Sequence, residues 1–195
     1  MQIDEKGSNN VVEIDQTARI EAPIRIYGQN NKLIVGKEAF LTGQVIEILG
    51  NNCSITLGDN CVLRGLIRCR HNDTHVYFGK NSTSMHVKIT LHEAGRIKIG
   101  EDCMISGDVR MDVSDMHSII DRATGQRINK AQDIEIGDHV WLGYGVTVAK
   151  GCHIGSGSVV AEKSLARGVI PSNVVVAGAP AKVIRENIEW RRDRI

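Results

Sequence analysis

The chain has 195 residues, and 24 Lys and Arg against 23 Asp and Glu leave a formal net charge of +1, which excludes the cationic surplus of a dedicated polyanion binder. A composition of 42% hydrophobic and 24% charged residues is that of an ordinary globule and excludes wholesale disorder. With 20 glycines, only 3 prolines and 4% aromatics, the core must come from aliphatic and small side chains joined by many turns. Met1 to Asn10 is polar and acidic with no apolar h-region, and no 18 apolar residues run together, so the expectation is a soluble, cytoplasmic chain with no integral membrane segment. The five cysteines, Cys53, Cys61, Cys69, Cys103 and Cys152, are odd in number and form no C-x-x-C pair. That argues against a disulfide framework or a zinc knuckle.

From the N-terminus onward a unit recurs: apolar, any residue, apolar, then Gly or Asp. Its seven copies are Val12/Ile14, Leu33/Val35, Ile55/Leu57, Val76/Phe78, Ile97/Ile99, Ile134/Ile136 and Cys152/Ile154. The second apolar positions are spaced by 21, 22, 21, 21, 37 and 18 residues, and the odd value equals 21 plus a 16-residue insertion. Inside the unit a six-residue rhythm is clearest from Ile136 through Leu142, Val148 and Ile154 to Val160. A small residue follows four places after each: Val140, Val146, Cys152, Ser158 and Ser164. A helix would need a period near 3.6. Three hexads make one triangular coil of short parallel strands, the longer units adding about three residues at a corner, so the predicted fold is an all-β parallel β-helix. Cys61, Cys103 and Cys152 fall in the small inward slot, which reads as packing rather than catalysis.

The [Ile/Leu/Val]-Gly-x-x-[small]-x hexads resemble those of the left-handed β-helix, or hexapeptide-repeat, acyltransferases. The left hand is implied by that resemblance alone, because general crossover rules favour the right. The prism is expected over 1–175. Beyond it, 176–195 reads as a strand followed by a capping helix: Pro180 suits a first helical turn, and Val183, Ile184, Ile188 and Trp190 form an apolar stripe down to about Arg192.

His117 stands in Ser-Asp-Met-His-Ser, six residues after Met111, where another inward aliphatic is due. The stretch 118–132, SIIDRATGQRINKAQ, has no hexad pattern and is expected to loop out of the prism. A histidine at the base of such a loop suits a general base, and equally a hydrogen-bonded corner residue. Ser-Asp-x-His-Ser-Ile, a Thr-Gly turn, and Asp133-Ile134-x-Ile136-Gly137-Asp138-His139-Val140-Trp141-Leu142-Gly143 resemble the bacterial capsule and O-antigen polysaccharide O-acetyltransferases, including the sialic-acid capsule enzymes. The likeness runs from about Ile97 to Trp190.

That resemblance implies a catalytic His117 with Trp141 beside it, contacting acceptor or acyl donor. It implies acetyl-coenzyme A as co-substrate and no metal, with the donor along Gly143, Tyr144, Ala161, Glu162, Lys163 and Arg167 and its phosphates near Lys182 and Arg185. It implies a homotrimer with active sites between subunits and a carbohydrate acceptor near His86, His92 and Glu93. An oxyanion donor is expected among the backbone N–H groups near Gly143 or Tyr144, and Asp115 or Asp112 is a candidate to orient the imidazole or meet the acceptor. A γ-type carbonic anhydrase needs an H-x4-H pair, and position 122 is Arg122. Other readings of the same coils are an amino-sugar, small-metabolite or antibiotic acetyltransferase, and a nonenzymatic scaffold.

Overall fold

A computed structural model describes residues 3–195, and it contains β-strands and turns but no helix. Eight strands stack in parallel as one side of a prism: Val11–Ile14, Lys32–Val35, Ser54–Leu57, Thr74–Phe78, Gly95–Ile99, Ile134–Ile136, His153–Ile154 and Val169–Ile170. On this first face Ile14, Val35, Leu57, Phe78, Ile99, Ile136 and Ile154 stand in unbroken register, as the repeat predicted. The ladder runs on to Ile170, an eighth copy that the sequence pattern hides by carrying Pro171 where the others have Gly or Asp.

A second sheet wraps the other two sides. In the middle coils one long strand covers both: Phe40–Ile48, Val62–Cys69, Thr83–Leu91 and Met104–Asp112, preceded by a coil with two separate strands, Arg19–Ile20 and Ile24–Gln29. In the later coils it breaks into pairs of short strands, Trp141–Leu142 with Thr147–Val148, then Val159–Val160 with Leu165–Ala166. The long strands bend where Gly43 and Gly65 stack, and Gly65 has φ +141° with the carbonyl oxygen of Val87 only 2.0 Å from where a Cβ would sit. No other residue fits there. The extra length of the long coils lies at the corner from face three back to face one, and the segment after Val113 leaves the prism from that same corner.

The core is the predicted aliphatic column. Leu142, Val148, Ile154 and Val160 are buried, as are the small-slot residues Val140, Val146, Cys152, Ser158 and Ser164. Each fully buried Leu, Ile or Val contributes about 1.5–3 kcal/mol, so stacked coils rather than any single coil hold the fold. All five cysteines are buried and unpaired; burial pushes the thiols of Cys61 and Cys69 up to about 12 and those of Cys103 and Cys152 up to about 11. Burial and raised pKa both set these four thiols against a nucleophilic role.

The predicted C-terminal helix is absent. Val175–Gly178 stacks on Val159–Val160, and Ala181–Arg185 pairs antiparallel with it as a hairpin. The open edge of the last coil offers unpaired backbone groups, and the β-branched Val183 and Ile184 suit an extended chain that satisfies them. The expected apolar stripe is not buried as one face: Val183 and Ile184 are exposed, Ile188 is half-buried and Trp190 is buried. The tail after the hairpin turns back along the corner between faces one and two, where the Ile188 amide donates to the Asn173 carbonyl at 3.0 Å.

Candidate active site

His117 lies on the turn that follows Met104–Asp112 and is exposed, at the point where the inward rhythm stops. Its imidazole has no hydrogen-bond partner among the described residues, and its position is set by the backbone. Met116 is held at φ +64°, the His117 amide donates to the Asp115 carbonyl at 2.8 Å, and the Met116 amide donates to Ser114 Oγ at 2.8 Å. Residues 118–132 extrude as expected, closed by the bridge between Ile120 and Arg127.

The loop is tied down at its base by charge. Arg127 places Nη1 at 2.7 Å and Nη2 at 2.6 Å from the two Glu93 oxygens, and Ser114 Oγ donates to the same carboxylate. The Arg127 and Ser114 hydrogen bonds together hold the Glu93 pKa down to about 2. Lys150 Nζ donates to Asp115 Oδ2 at 2.5 Å and to the Asn129 carbonyl at 2.8 Å. The Lys150 and Asn129 hydrogen bonds keep Asp115 below the usual carboxylate range. Asp112 accepts from Thr90 Oγ1 at 2.9 Å and pairs with His92 Nδ1. Both carboxylates proposed to orient the imidazole are therefore engaged with other partners.

Two depressions flank the Lys150–Asp115 pair. One of about 360 Å³ lies toward the early coils and is lined by Lys88, His92, Arg110, Asp112 and Met116 among others. The other, of about 410 Å³, lies toward the C-terminal coils and is lined by Gln132, Leu165, Arg167 and Gly168 among others. His92 and Arg167, expected at opposite ends of the reaction, thus line opposite sides of the turn that carries His117. A third depression holds His86, Lys88, Arg110 and Arg68. There His86 Nδ1 lies 3.1 Å from Asp108 Oδ1, and the Tyr144 hydroxyl donates to Asp108 Oδ2 at 2.5 Å. Those two hydrogen bonds, Tyr144 first, lower the Asp108 pKa, and the Asp108 carboxylate in turn raises that of Tyr144. Asp108 joins one acceptor candidate to one donor candidate, and its only trace in the sequence is a carboxylate at a bend.

Gly143 and Tyr144 stack on Ala161, Glu162 and Lys163 one coil further along, with the Lys163 amide donating to the Tyr144 carbonyl at 2.7 Å. The Gly143 amide donates to the Val160 carbonyl at 2.8 Å, so of the pair Tyr144 keeps its N–H outside the ladder. Lys182 and Arg185 are exposed on the hairpin rather than on a helix.

Trp141 does not meet His117 within one protomer. It pairs in register with Met104 on face two, whereas His117 follows the face-three end of that same strand. Trp141 is half-buried because Trp190 packs against it, ring centroids 6.1 Å apart. Trp190 also stacks on His139 at 4.1 Å and donates Nε1–H to the His139 carbonyl at 2.8 Å. His139 places Nδ1 at 2.7 Å from Asp102 Oδ2 and Nε2 at 3.0 Å from the Trp190 carbonyl. Both ring nitrogens face acceptors, so both contacts are hydrogen bonds only when the ring carries two protons. Arg192 completes the clasp on Asp102, Thr83 and the Cys103 carbonyl. Burial opposes ionisation of Asp102, yet the His139 and Arg192 hydrogen bonds outweigh it and its pKa is lowered.

The bacterial transferase hexapeptide (six repeats) family matches residues 133–168. A polysialic acid O-acetyltransferase of Neisseria meningitidis is 35% identical over 190 residues, covering 96% of this chain and 88% of that protein. The chain belongs to the hexapeptide-repeat acyltransferases. Crystallography of the polysialic acid O-acetyltransferase OatWY gives a fold that superposes with a TM-score of 0.93 at 32% identity, over 100% of this chain and 93% of that one. The polySia-specific acetyltransferase NeuO superposes with a TM-score of 0.89 at 32% identity, covering 98% and 89% of the two chains. The prism is accordingly a left-handed parallel β-helix, and the protein is an acyltransferase. No group of three or more His, Cys, Asp or Glu side chains is arranged to hold a metal ion among the described residues, and no helix there is long and apolar enough to cross a membrane.

Proposed function

We propose that this acyltransferase moves acetyl from acetyl-coenzyme A to a hydroxyl of a bacterial surface polysaccharide or its sugar precursor, with His117 as general base in a ternary complex. The observation that carries the reading is the exposed, unpartnered His117 imidazole on a turn whose Asp115 lines both depressions, the one with His92 and the one with Arg167. His117 takes the proton of the acceptor hydroxyl as its oxygen attacks the acetyl carbonyl carbon. The tetrahedral intermediate's oxyanion is met by the Tyr144 N–H of a neighbouring copy, because Tyr144 lies at the Gly107–Asp108 bend, away from His117 in its own protomer; the C–S bond breaks, and the proton passes from the imidazolium to the departing thiolate. No covalent enzyme intermediate is required, which agrees with the buried thiols.

Coenzyme A brings several phosphate charges, and the exposed Arg167, Lys182 and Arg185 are of the type that would meet them. Since Trp141 and His117 sit on different faces of one protomer, a homotrimer with sites between subunits is the assembly that brings a Trp141 indole to a His117 imidazole. Among acceptors we place a sialic acid polymer first. The relatives named for polysialic acid support it, as do Arg68, Lys88 and Arg110 in the depressions beside His86 and His92, which suit a chain with one carboxylate per sugar. Glu93, held by Arg127, acts in this reading through the loop rather than on the acceptor.

Thiol release from acetyl-coenzyme A, measured against polysialic acid, neutral hexoses and amino sugars, tests the reading. Release with polysialic acid that falls at least ~10²-fold in His117→Ala is expected. Comparable turnover in the variant removes His117 from the role. Release confined to amino sugars replaces O- with N-acetylation, and none with any acceptor favours a scaffold.

A further inference from the structure

We infer that Asn129 is the positioning residue for His117: its buried amide fixes the peptide that carries the imidazole, and this rests on His117 being the general base. The imidazole has no side-chain partner among the described residues, so within one protomer its position is set through the backbone that carries it. That backbone is not relaxed, because Met116 occupies the left-handed region at φ +64°, where a non-glycine residue persists only when its surroundings over-determine it. The bonds internal to the turn, from the Met116 amide to Ser114 Oγ and from the His117 amide to the Asp115 carbonyl, reach back toward the strand. Nothing internal holds the far side, where the chain leaves for the loop.

Asn129 holds that side. It is 8% exposed, and its side chain uses its full hydrogen-bonding capacity. Nδ2 donates to the His117 carbonyl at 2.7 Å and to Asp115 Oδ2 at 3.0 Å. Oδ1 accepts from the Ile119 amide at 2.7 Å and from Arg127 Nε at 3.2 Å. The amide thus brackets His117, gripping the carbonyl on its own residue and the N–H two residues on. Asn129 is in turn immobile, for its carbonyl accepts from Lys150 Nζ at 2.8 Å and Arg127 Nη2 at 3.3 Å. The ties from Glu93 through Arg127, and from Lys150, therefore converge on one side chain that touches the catalytic peptide.

The residue type is dictated. Aspartate has the size but no donors, and it would set a second carboxylate against Asp115 and an oxygen against the His117 carbonyl. Glutamine has the groups but is one methylene too long for a space that is already filled.

The test compares Asn129→Ala, Asn129→Ser, His117→Ala and the double variant His117→Ala/Asn129→Ala in thiol release from acetyl-coenzyme A with polysialic acid. Alongside it, hydrogen exchange at the Ile119 amide and the imidazole NMR resonances of His117 are followed on the intact protein. Asn129→Ala is expected to lower kcat about 10- to 100-fold with KM for acetyl-coenzyme A within about twofold, and to add nothing to His117→Ala. Exchange at Ile119 should rise at least about tenfold and the His117 resonances should shift and broaden, with or without acceptor. If His117→Ala turns over normally, the general-base reading falls while the exchange result still reports on the clamp. If His117→Ala is inactive but both Asn129 variants keep wild-type kcat, or if Ile119 exchange and the His117 resonances stay as in the wild type, the positioning role is overturned. Should Asn129→Ala fail to fold by circular dichroism, Asn129→Ser, which keeps a short polar side chain, carries the same readings.

Discussion

Replacing Glu93 with glutamine should free the inserted loop without disturbing the coils. The carboxylate receives two charge-assisted bonds from Arg127 and one from Ser114, and both ion-pair partners are about three-quarters covered, with side-chain exposures of 26% and 25%. Its pKa falls from 4.5 to about 2, and at about 1.4 kcal/mol per unit that difference sets a ceiling of roughly 3.5 kcal/mol. Partial solvent screening and the bonds a glutamine can still make reduce this to roughly 1–2 kcal/mol. The loss is local, since Glu93 ties the loop to the corner of the prism and contributes nothing to the aliphatic column. Arg122, Arg127 and Lys130 provide trypsin sites within the loop. Cleavage there should accelerate about 5- to 30-fold in Glu93→Gln while the melting transition of the coils moves by only a few degrees. A depressed carboxylate pKa adds stability that is complete above the ordinary value and disappears as pH falls toward 2. Wild-type and variant loops should therefore become equally sensitive to pepsin at the acid end of that window. Trypsin rates within twofold of each other at neutral pH would refute the assignment of Glu93 as the loop's anchor.

Gly65→Ala should lower the melting temperature by roughly 6–12 °C, since a Cβ 2.0 Å from the Val87 carbonyl oxygen forces neighbouring coils apart at a cost of about 3 kcal/mol or more. Gly125→Ala, also at positive φ but with open space around it, should cost only about 1 kcal/mol, felt in the loop; equal shifts for the two would contradict the stacking argument. Trp190→Ala should release the tail, red-shift the fluorescence of the remaining Trp141 and raise hydrogen exchange over 186–195, with the coil strands unchanged; wild-type exchange would show that the His139 and Arg192 contacts hold the tail alone.

The coils were legible because their information is local and periodic. Each inward residue, such as Phe78, sits one turn from counterparts of the same kind, Leu57 and Ile99, so the packing of the column is written in the spacing of the chain. The same logic found the insertion, because a loop that leaves the prism must interrupt the rhythm. It missed Ile170, whose coil closes with a proline, and it mistook the tail, because Val183, Ile184, Ile188 and Trp190 fit a helical stripe as readily as an extended chain. What decided between them was the unpaired edge at Val175–Gly178, a property of the assembled stack and not of the segment itself.

The residues that support the candidate site residues escaped for a related reason. His117 is visible as a break in a pattern, and Trp141 as an aromatic in a chain nearly without them. Asn129 and Asp108 are ordinary polar residues, and the groups that give them meaning, His117 and Asp115 for the one and His86 and Tyr144 for the other, lie 12 to 36 positions away and become neighbours only once the coils are built. Trp190 reaches His139 across 51 residues. In a fold whose core repeats, the inward side chains announce themselves and the outward ones do not. The residues proposed for the chemistry belong to the outward set, where one coil's side chain gains meaning from whichever loop, tail or neighbouring copy folds against it. The extruded loop contributes Asn129 and Arg127 to the base of His117, and the tail contributes Trp190 to the flank of Trp141. The two irregular segments of an otherwise periodic chain thus each support one of the two residues the reaction is proposed to need, and a repeat alone could specify neither.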